Sequence, residues 1–197
     1  MTTDVGEYGV YHGSEMHLHI TGSIGASLVP WWIHWFRHIN QDVVVNASIS
    51  RGASRFVTKD AIAGLCNGHV WEDEWDDAKS EDWRQGRTGD SDCIIVFPAS
   101  LDSVMRLAQG RSDSPALMMM QVTNLPIILC EAIPVINSVI EHWRDILLER
   151  PNVTTAPPVV GIKATDRDSQ ETGFNLPGAI AMANELIDAS REGDGVD

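Results

Sequence analysis

The sequence predicts a single α/β domain built on a doubly wound parallel sheet, and three observations lead there. Short, nearly continuous apolar runs rich in β-forming residues recur along the 197 residues, as parallel strands buried on both faces require. Segments with helical spacing lie between them, and strands that alternate with helices imply right-handed βαβ crossovers. Finally, the chain is 43% hydrophobic and 21% charged, enough to fill one substantial core and too short to fill two of ordinary size.

In chain order, a polar N-terminal arm (1–14) leads into the first expected strand, Met16 to Ile20. Leu28, Trp31, Trp32, Trp35, Phe36 and Ile39 then recur at helical spacing and form one broad apolar face. The three tryptophans on it read as core or subunit contact rather than as a cofactor box, because that face must be buried. A second strand is expected at Val43 to Ala47, then a helical face running from Phe56 through Ala61, Leu65 and Cys66. Cys93 to Phe97 reads as a strand, followed by a helix carrying Leu101, Val104, Met105 and Ala108. Ile127 to Cys130 reads as the last strand, followed by a segment in which Ile136, Val139, Ile140, Trp143 and Leu147 repeat the helical apolar spacing. This alternation is that of a Rossmann-like (flavodoxin-like) sheet. Residues 156–173 are polar, contain Gly and lack helical period; they read either as a flap or as a mobile loop. The Gly- and Asp-rich end, 191–197, is expected to fray.

Charge and composition exclude several classes. The net charge of -14, with Lys and Arg scattered, argues against nucleic acid as a partner. No apolar run approaches the roughly 20 residues of a membrane span, and the N-terminus lacks a basic start followed by an apolar stretch, so a cytoplasmic protein is expected. Cys66, Cys93 and Cys130 lie in or beside apolar segments without Cys-x-x-Cys spacing and read as reduced core residues. Between Trp71 and Trp83, Glu72, Asp73, Glu74, Asp76, Asp77, Glu81 and Asp82 read as a solvated loop anchored by its aromatics. No His-x-x-x-His or EF-hand spacing accompanies these carboxylates, so no metal is expected.

In doubly wound sheets ligands bind beyond the C-terminal ends of the strands, where loops diverge and helix N-termini point inward. Four segments stand there: Thr21-Gly22-Ser23-Ile24-Gly25, Ser48-Ile49-Ser50, Pro98-Ala99-Ser100 and Glu131-Ala132-Ile133-Pro134. Three of them carry the short donors that suit an anion or a polar ring edge.

These segments belong to longer motifs. His19-Ile20-Thr21-Gly22-Ser23-Ile24-Gly25-Ala26 comes first, then Ser50-Arg51-Gly52-Ala53-Ser54-Arg55-Phe56-Val57. Pro98-Ala99-Ser100-Leu101-Asp102-Ser103 follows, with Ala108-Gln109-Gly110-Arg111-Ser112-Asp113 beyond it, and Pro134-Val135-Ile136-Asn137-Ser138-Val139-Ile140 closes the series. From about His17 to Thr155, in one collinear order, they resemble the homo-oligomeric flavin-containing cysteine decarboxylases. That family has Thr-Gly-Ser-Ile-Ala-Ala, a Ser or Thr followed six residues later by Phe, Pro-Ala-Ser-Ala-Asn-Thr, and Pro-x-Met-Asn-x-x-Met-Trp. The last keeps its Asn here, while both Met positions are Ile.

The resemblance implies a flavin, FMN or FAD. Ser23 and Ser50 would hold its phosphate, with Gly22 letting the backbone approach; a simple helix N-cap is the other reading of both serines. Ser100, Leu101, Asp102 and Ser103 would line the isoalloxazine, with Ile24, Phe56, Pro98 and Ala99 completing the site. Asn137 would hold the substrate cysteine's carboxylate, unless it is only a turn residue after Pro134. In that family the flavin oxidises the cysteine side to a thioaldehyde, which eases loss of carbon dioxide and leaves an enethiol, and the resemblance implies the same here.

Two departures sharpen the expectation. The family's active-site His stands fourteen residues before the Pro of Pro-Ala-Ser, and that position here is Arg84, whose charge would help a thiol ionise. Its other reading is a surface arginine paired with the acidic loop. The phosphopantothenoylcysteine decarboxylases carry a Cys after the last core strand, whereas residues 156–173 contain none. This chain is therefore most similar to the lantibiotic peptidyl-cysteine decarboxylases. Those act on a precursor peptide with a C-terminal Cys on the way to an S-aminovinyl-cysteine ring. Lys163 and Arg167, in the candidate flap, would draw in the peptide carboxylate. The resemblance also implies a trimer or dodecamer with flavin at the subunit boundary. The alternatives are a non-catalytic flavin-binding regulatory protein of the same fold and a flavin prenyltransferase-like enzyme.

Overall fold

The computed structural model describes residues 9–76, 91–162 and 169–193. Its centre is a six-stranded sheet of β1 (Glu15–Ile20), β2 (Val44–Ile49), β3 (Val70–Glu72), β4 (Cys93–Ser100), β5 (Ile127–Ala132) and β6 (Val153–Thr155). The order is β3-β2-β1-β4-β5-β6, and every pair is parallel. That is the doubly wound order, with its reversal between β1 and β4; without the three-residue β3 the remaining strands have the flavodoxin-like order. A crevice opens at this reversal because the chain leaves the two strands in opposite directions.

Alternation along the strands divides the core. Met16, Leu18, Ile20, Val45, Ala47, Ile49, Cys93, Ile95 and Phe97 face one side. They pack there against α1 (Val29–Ile39) and α6 (Leu176–Gly193). Ile94, Val96, Ile127 and Leu129 face the other, against α3 (Leu101–Ala108), α4 (Pro115–Val122) and α5 (Ser138–Leu148). Phe36 of α1 is fully enclosed, and burying a ring of that size contributes about 1.5–3 kcal/mol. Helix α1 stops at Asn40, whose amide donates to Phe36 O (3.1 Å) and Gly9 O (2.8 Å) and accepts from the Tyr11 N–H (2.8 Å). One C-terminal cap therefore also fastens the described end of the N-terminal arm to the core.

The four expected strands and three of the four expected helices are present, with shifted ends. β2 runs on through Ser48 and Ile49, so only Ser50 of that segment lies past the strand. The helical face expected from Phe56 to Cys66 shrinks to α2 (Lys59–Ala63), because Thr58 caps it late and Gly64 ends it. The acidic stretch is not all solvated: Trp71 and Glu72 belong to β3, and Asp73 is buried. Asp77, Glu81, Asp82 and Trp83 lie outside the described residues. Three pairings were not expected from the sequence: the edge strands β3 and β6, and an antiparallel hairpin of β7 (Val159–Ile162) and β8 (Ser169–Thr172). Helix α6 extends into the stretch expected to fray, and Arg191 donates to His12 O (3.0 Å).

Candidate functional site

Thr21, immediately after β1, ties the two strands that flank the crevice. Its buried hydroxyl donates to Pro98 O (2.6 Å) and accepts from the Ser100 N–H (2.8 Å). The β4–β5 register shifts between Val96 and Ala99, so the end of β4 turns toward this hydroxyl. Pro98, Ala99 and Ser100 are thus buried strand residues, and Leu101, Asp102 and Ser103 form the first turn of α3. Ser100 caps that helix: its Oγ accepts from the Ser103 N–H (3.4 Å) and donates to Ser103 Oγ (3.1 Å). Asp102 is exposed and pairs with Arg106 (3.6 Å).

The loops after β1 and β2 meet through glycine. A Cβ on Gly22 would stand 3.0 Å from the backbone of Gly52, tighter than most side chains tolerate, so the two chains approach here only without side chains. Ser23 and Ser50 sit on either side of that contact. Ser23 Oγ accepts from the Gly25 N–H (3.4 Å) and Ser50 Oγ from the Ala53 N–H (3.2 Å). Both serines cap short turns, as their simpler reading required, and each hydroxyl proton remains available to an anion. Ile24 and Phe56 flank them and are exposed, a placement that suits the apolar wall of a ligand site.

Across the crevice, Asn137 is neither a loose turn residue nor buried. It is the N-cap of α5, its Oδ1 accepting from the Val139 and Ile140 N–H groups (3.0 and 3.1 Å). Among the described residues its amide NH2 has no acceptor, which leaves both protons for a ligand. The rim is closed by the chain after the hairpin. Phe174 stacks on Phe97 (4.2 Å between ring centres, 4° between planes) and lies beside Gly25, while the Gly173 N–H donates to Glu131 O (3.0 Å). Of the three tryptophans, Trp32 packs edge-on to Phe97 and Phe174, and Trp31 is exposed. Arg84, Lys163 and Arg167 lie outside the described residues.

A buried polar chain beneath the crevice was not singled out by the sequence reading. His17 and His19 project from the same face of β1 as Thr21, and both rings reach Ser48 Oγ, from His17 Nε2 (2.9 Å) and His19 Nδ1 (2.8 Å). One hydroxyl carries one proton, so it donates to one ring and accepts from the other. Burial pushes the His17 pKa down to about 3, with His19 adding to the shift. Burial also lowers that of His19, opposed by Asp73 and assisted by Arg106. Both are neutral at pH 7. His17 stacks on Trp71 (4.9 Å), and Asp73 accepts from the Ala116 N–H (2.8 Å) at the start of α4. The available signal was the alternation of His17 and His19 with Met16, Leu18 and Ile20, two polar rings at period two inside an apolar strand.

Residues 7–155 match the model of the family described as Flavoprotein. The chain is 49% identical over 185 residues to a cypemycin cysteine dehydrogenase (decarboxylating) from Streptomyces sp, covering 93% of this chain and 97% of the relative. Among solved structures it is similar to the cypemycin decarboxylase CypD, with 46% identity, a TM-score of 0.82, and coverage of 94% and 99% of the two chains. It shares its fold with the peptidyl-cysteine decarboxylase EpiD at 16% identity and a TM-score of 0.65, over 87% of this chain and 98% of that one.

Proposed function

Because this chain belongs to the Flavoprotein family, we propose that it is an FMN-dependent decarboxylase acting on the C-terminal cysteine of a precursor peptide. The observation that carries this reading is the near-full-length likeness to a decarboxylating cysteine dehydrogenase. The crevice fits the cofactor: the Gly22–Gly52 approach leaves a cradle that a Cβ would fill, with a serine on each side and exposed Ile24 and Phe56 beside it. The cytoplasmic assignment belongs to this proposal; among the described residues no helix is long and apolar enough to cross a membrane.

Ser23 and Ser50 would take the phosphate through their hydroxyls, with Gly22 leaving room for it. Pro98, Ala99, Ser100, Leu101, Asp102 and Ser103 would take the ring, with the Thr21 hydroxyl fixing the end of β4 beneath it. Bound FMN supplies the two-electron oxidation that turns a stable carboxylate into one that leaves readily. The protein's part is to hold the cysteine against it. Asn137 donates its amide protons to the peptide carboxylate at the N-terminus of α5, where the helix dipole also favours a negative charge. Arg84, at the position of the family's histidine, favours the cysteine thiolate. Lys163 and Arg167 would guide the peptide tail. We place the assembly as a trimer or dodecamer; exposed Leu28 and Trp31 on one side and Val135 and Val139 on the other would be covered by neighbouring subunits.

The cofactor part is tested by colour. Protein purified with FMN is expected to be yellow and to release FMN, not FAD, on heating. Ser23→Asp, which places a like charge against the phosphate, is expected to be colourless while still folded by circular dichroism. Flavin retained in that variant contradicts the phosphate assignment.

A further inference from the structure

We infer that Arg144, oriented by Glu131, receives the C-terminal carboxylate of the peptide and makes the site selective for a free chain end. This rests on the substrate reading above and adds a residue to it. Arg144 lies seven positions after Asn137, which returns it to the same stripe of α5. Side chains on a helix slant toward its N-terminus, so the guanidinium is carried back toward the Asn137 cap.

Glu131 fixes it there. The single Nε–H of Arg144 is shared by the two carboxylate oxygens, Oε1 at 2.8 Å and Oε2 at 3.0 Å. The four N–H groups on Nη1 and Nη2 have no acceptor among the described residues. The Glu131 backbone is closely packed: its N–H and C=O lie against Gly173, where a Cβ would stand 2.7 Å from the Glu131 nitrogen. The pair is half-sheltered, with 27% of the Arg144 side chain and 15% of the Glu131 side chain exposed. Nε serves the glutamate, so the Nη1–Nη2 edge, which can also grip a carboxylate, is free of partners among the described residues. Asn137 NH2, the start of α5 and this guanidinium, on one stripe of the helix, would then offer three favourable partners to one anion, with Glu141 of the same helix exposed.

The test compares fluorescein-labelled pentapeptides ending in Cys, one with a free carboxylate and one with a terminal amide, binding to the flavin-loaded protein. The wild type is expected to bind the acid about tenfold or more tightly than the amide, as a charge-assisted pair implies. Arg144→Gln is expected to lower that ratio about threefold or more, the remainder being held by Asn137 and the start of α5, while the flavin absorbance stays unchanged. Glu131→Gln keeps the guanidinium and removes a competing negative charge, so the ratio should persist or rise. A merely structural ion pair would suffer equally from either substitution. If Arg144→Gln folds poorly, Arg144→Lys, which keeps the charge without the fork, should retain part of the preference. An unchanged ratio in Arg144→Gln overturns the assignment and leaves the substrate reading standing, with Lys163 or Arg167 as the anion's partner. A wild type that binds neither peptide removes the substrate reading itself.

Discussion

In the proposed reading Asn137 would have two separable duties, its oxygen capping α5 and its NH2 holding the peptide carboxylate. Asn137→Asp preserves the capping oxygen and adds a charge the helix N-terminus favours, but it sets a carboxylate against a carboxylate. The variant is expected to melt at or above the wild-type temperature, keep its flavin, and lose at least about tenfold in turnover, the equivalent of one misplaced charge pair. Asn137→Ala should instead lose about 1 kcal/mol of stability as well, readable in a urea titration. At the same scale, the buried His17 makes the fold sensitive to acid. Its pKa is near 3 when folded and near 6.5 in the unfolded chain, so between those values the unfolded state binds more protons. His17's contribution is complete above pH 6.5 and is lost as pH falls below it, by about 1.4 kcal/mol per pH unit. His17→Gln is expected to remove one histidine's share of that slope in urea unfolding measured from pH 7 to pH 5. An unaltered slope would place the proton uptake elsewhere.

The elements differ in how openly the sequence announces them. β4 and α1 were legible because a continuous apolar run and a helix-spaced series of large residues admit few other structures, and β1 because its apolar residues alternate. The buried face of α1 was only partly read, since Leu28 and Trp31 are exposed while Val29 and Ile33 are buried. α4 carried start signals in Ser114 and Pro115, but its residues are apolar all round, which erases the period. α6 has apolar residues at 176, 179, 180, 183 and 187, a helical spacing muted by the alanines among them. β3 and β6 are three residues each, below the length at which any pattern shows. The hairpin carries no alternation of its own; its exit is held by Gly173 against β5. Gly173→Ala is expected to cost about 1–3 kcal/mol, because the atoms a Cβ would meet are backbone and cannot rotate away. The same substitution should expose the hairpin to limited proteolysis. A melting temperature and cleavage pattern identical to the wild type would show that the hairpin is not held there.

At the scale of the molecule, the site is a consequence of topology. Reversal of strand order between β1 and β4 opens a crevice, and the motifs that read as a flavin site in the sequence stand at its edges because each follows a strand. Their order along the chain was legible; their distances were not, since the Thr21 bridge, the Gly22–Gly52 contact and the Glu131–Arg144 pair join residues from different elements. His17, His19 and Ser48 were missed for the same reason: each looks like an isolated polar residue until β1 and β2 pair in register and bring them to one hydroxyl.

The most direct measurement is the mass of a peptide ending in Cys after incubation with the FMN-loaded protein. Loss of about 46 Da, carbon dioxide together with two hydrogens, is expected when the terminal residue is oxidatively decarboxylated. A cognate precursor peptide that returns at its original mass, from a protein that is yellow and folded, would contradict the enzyme assignment at its centre.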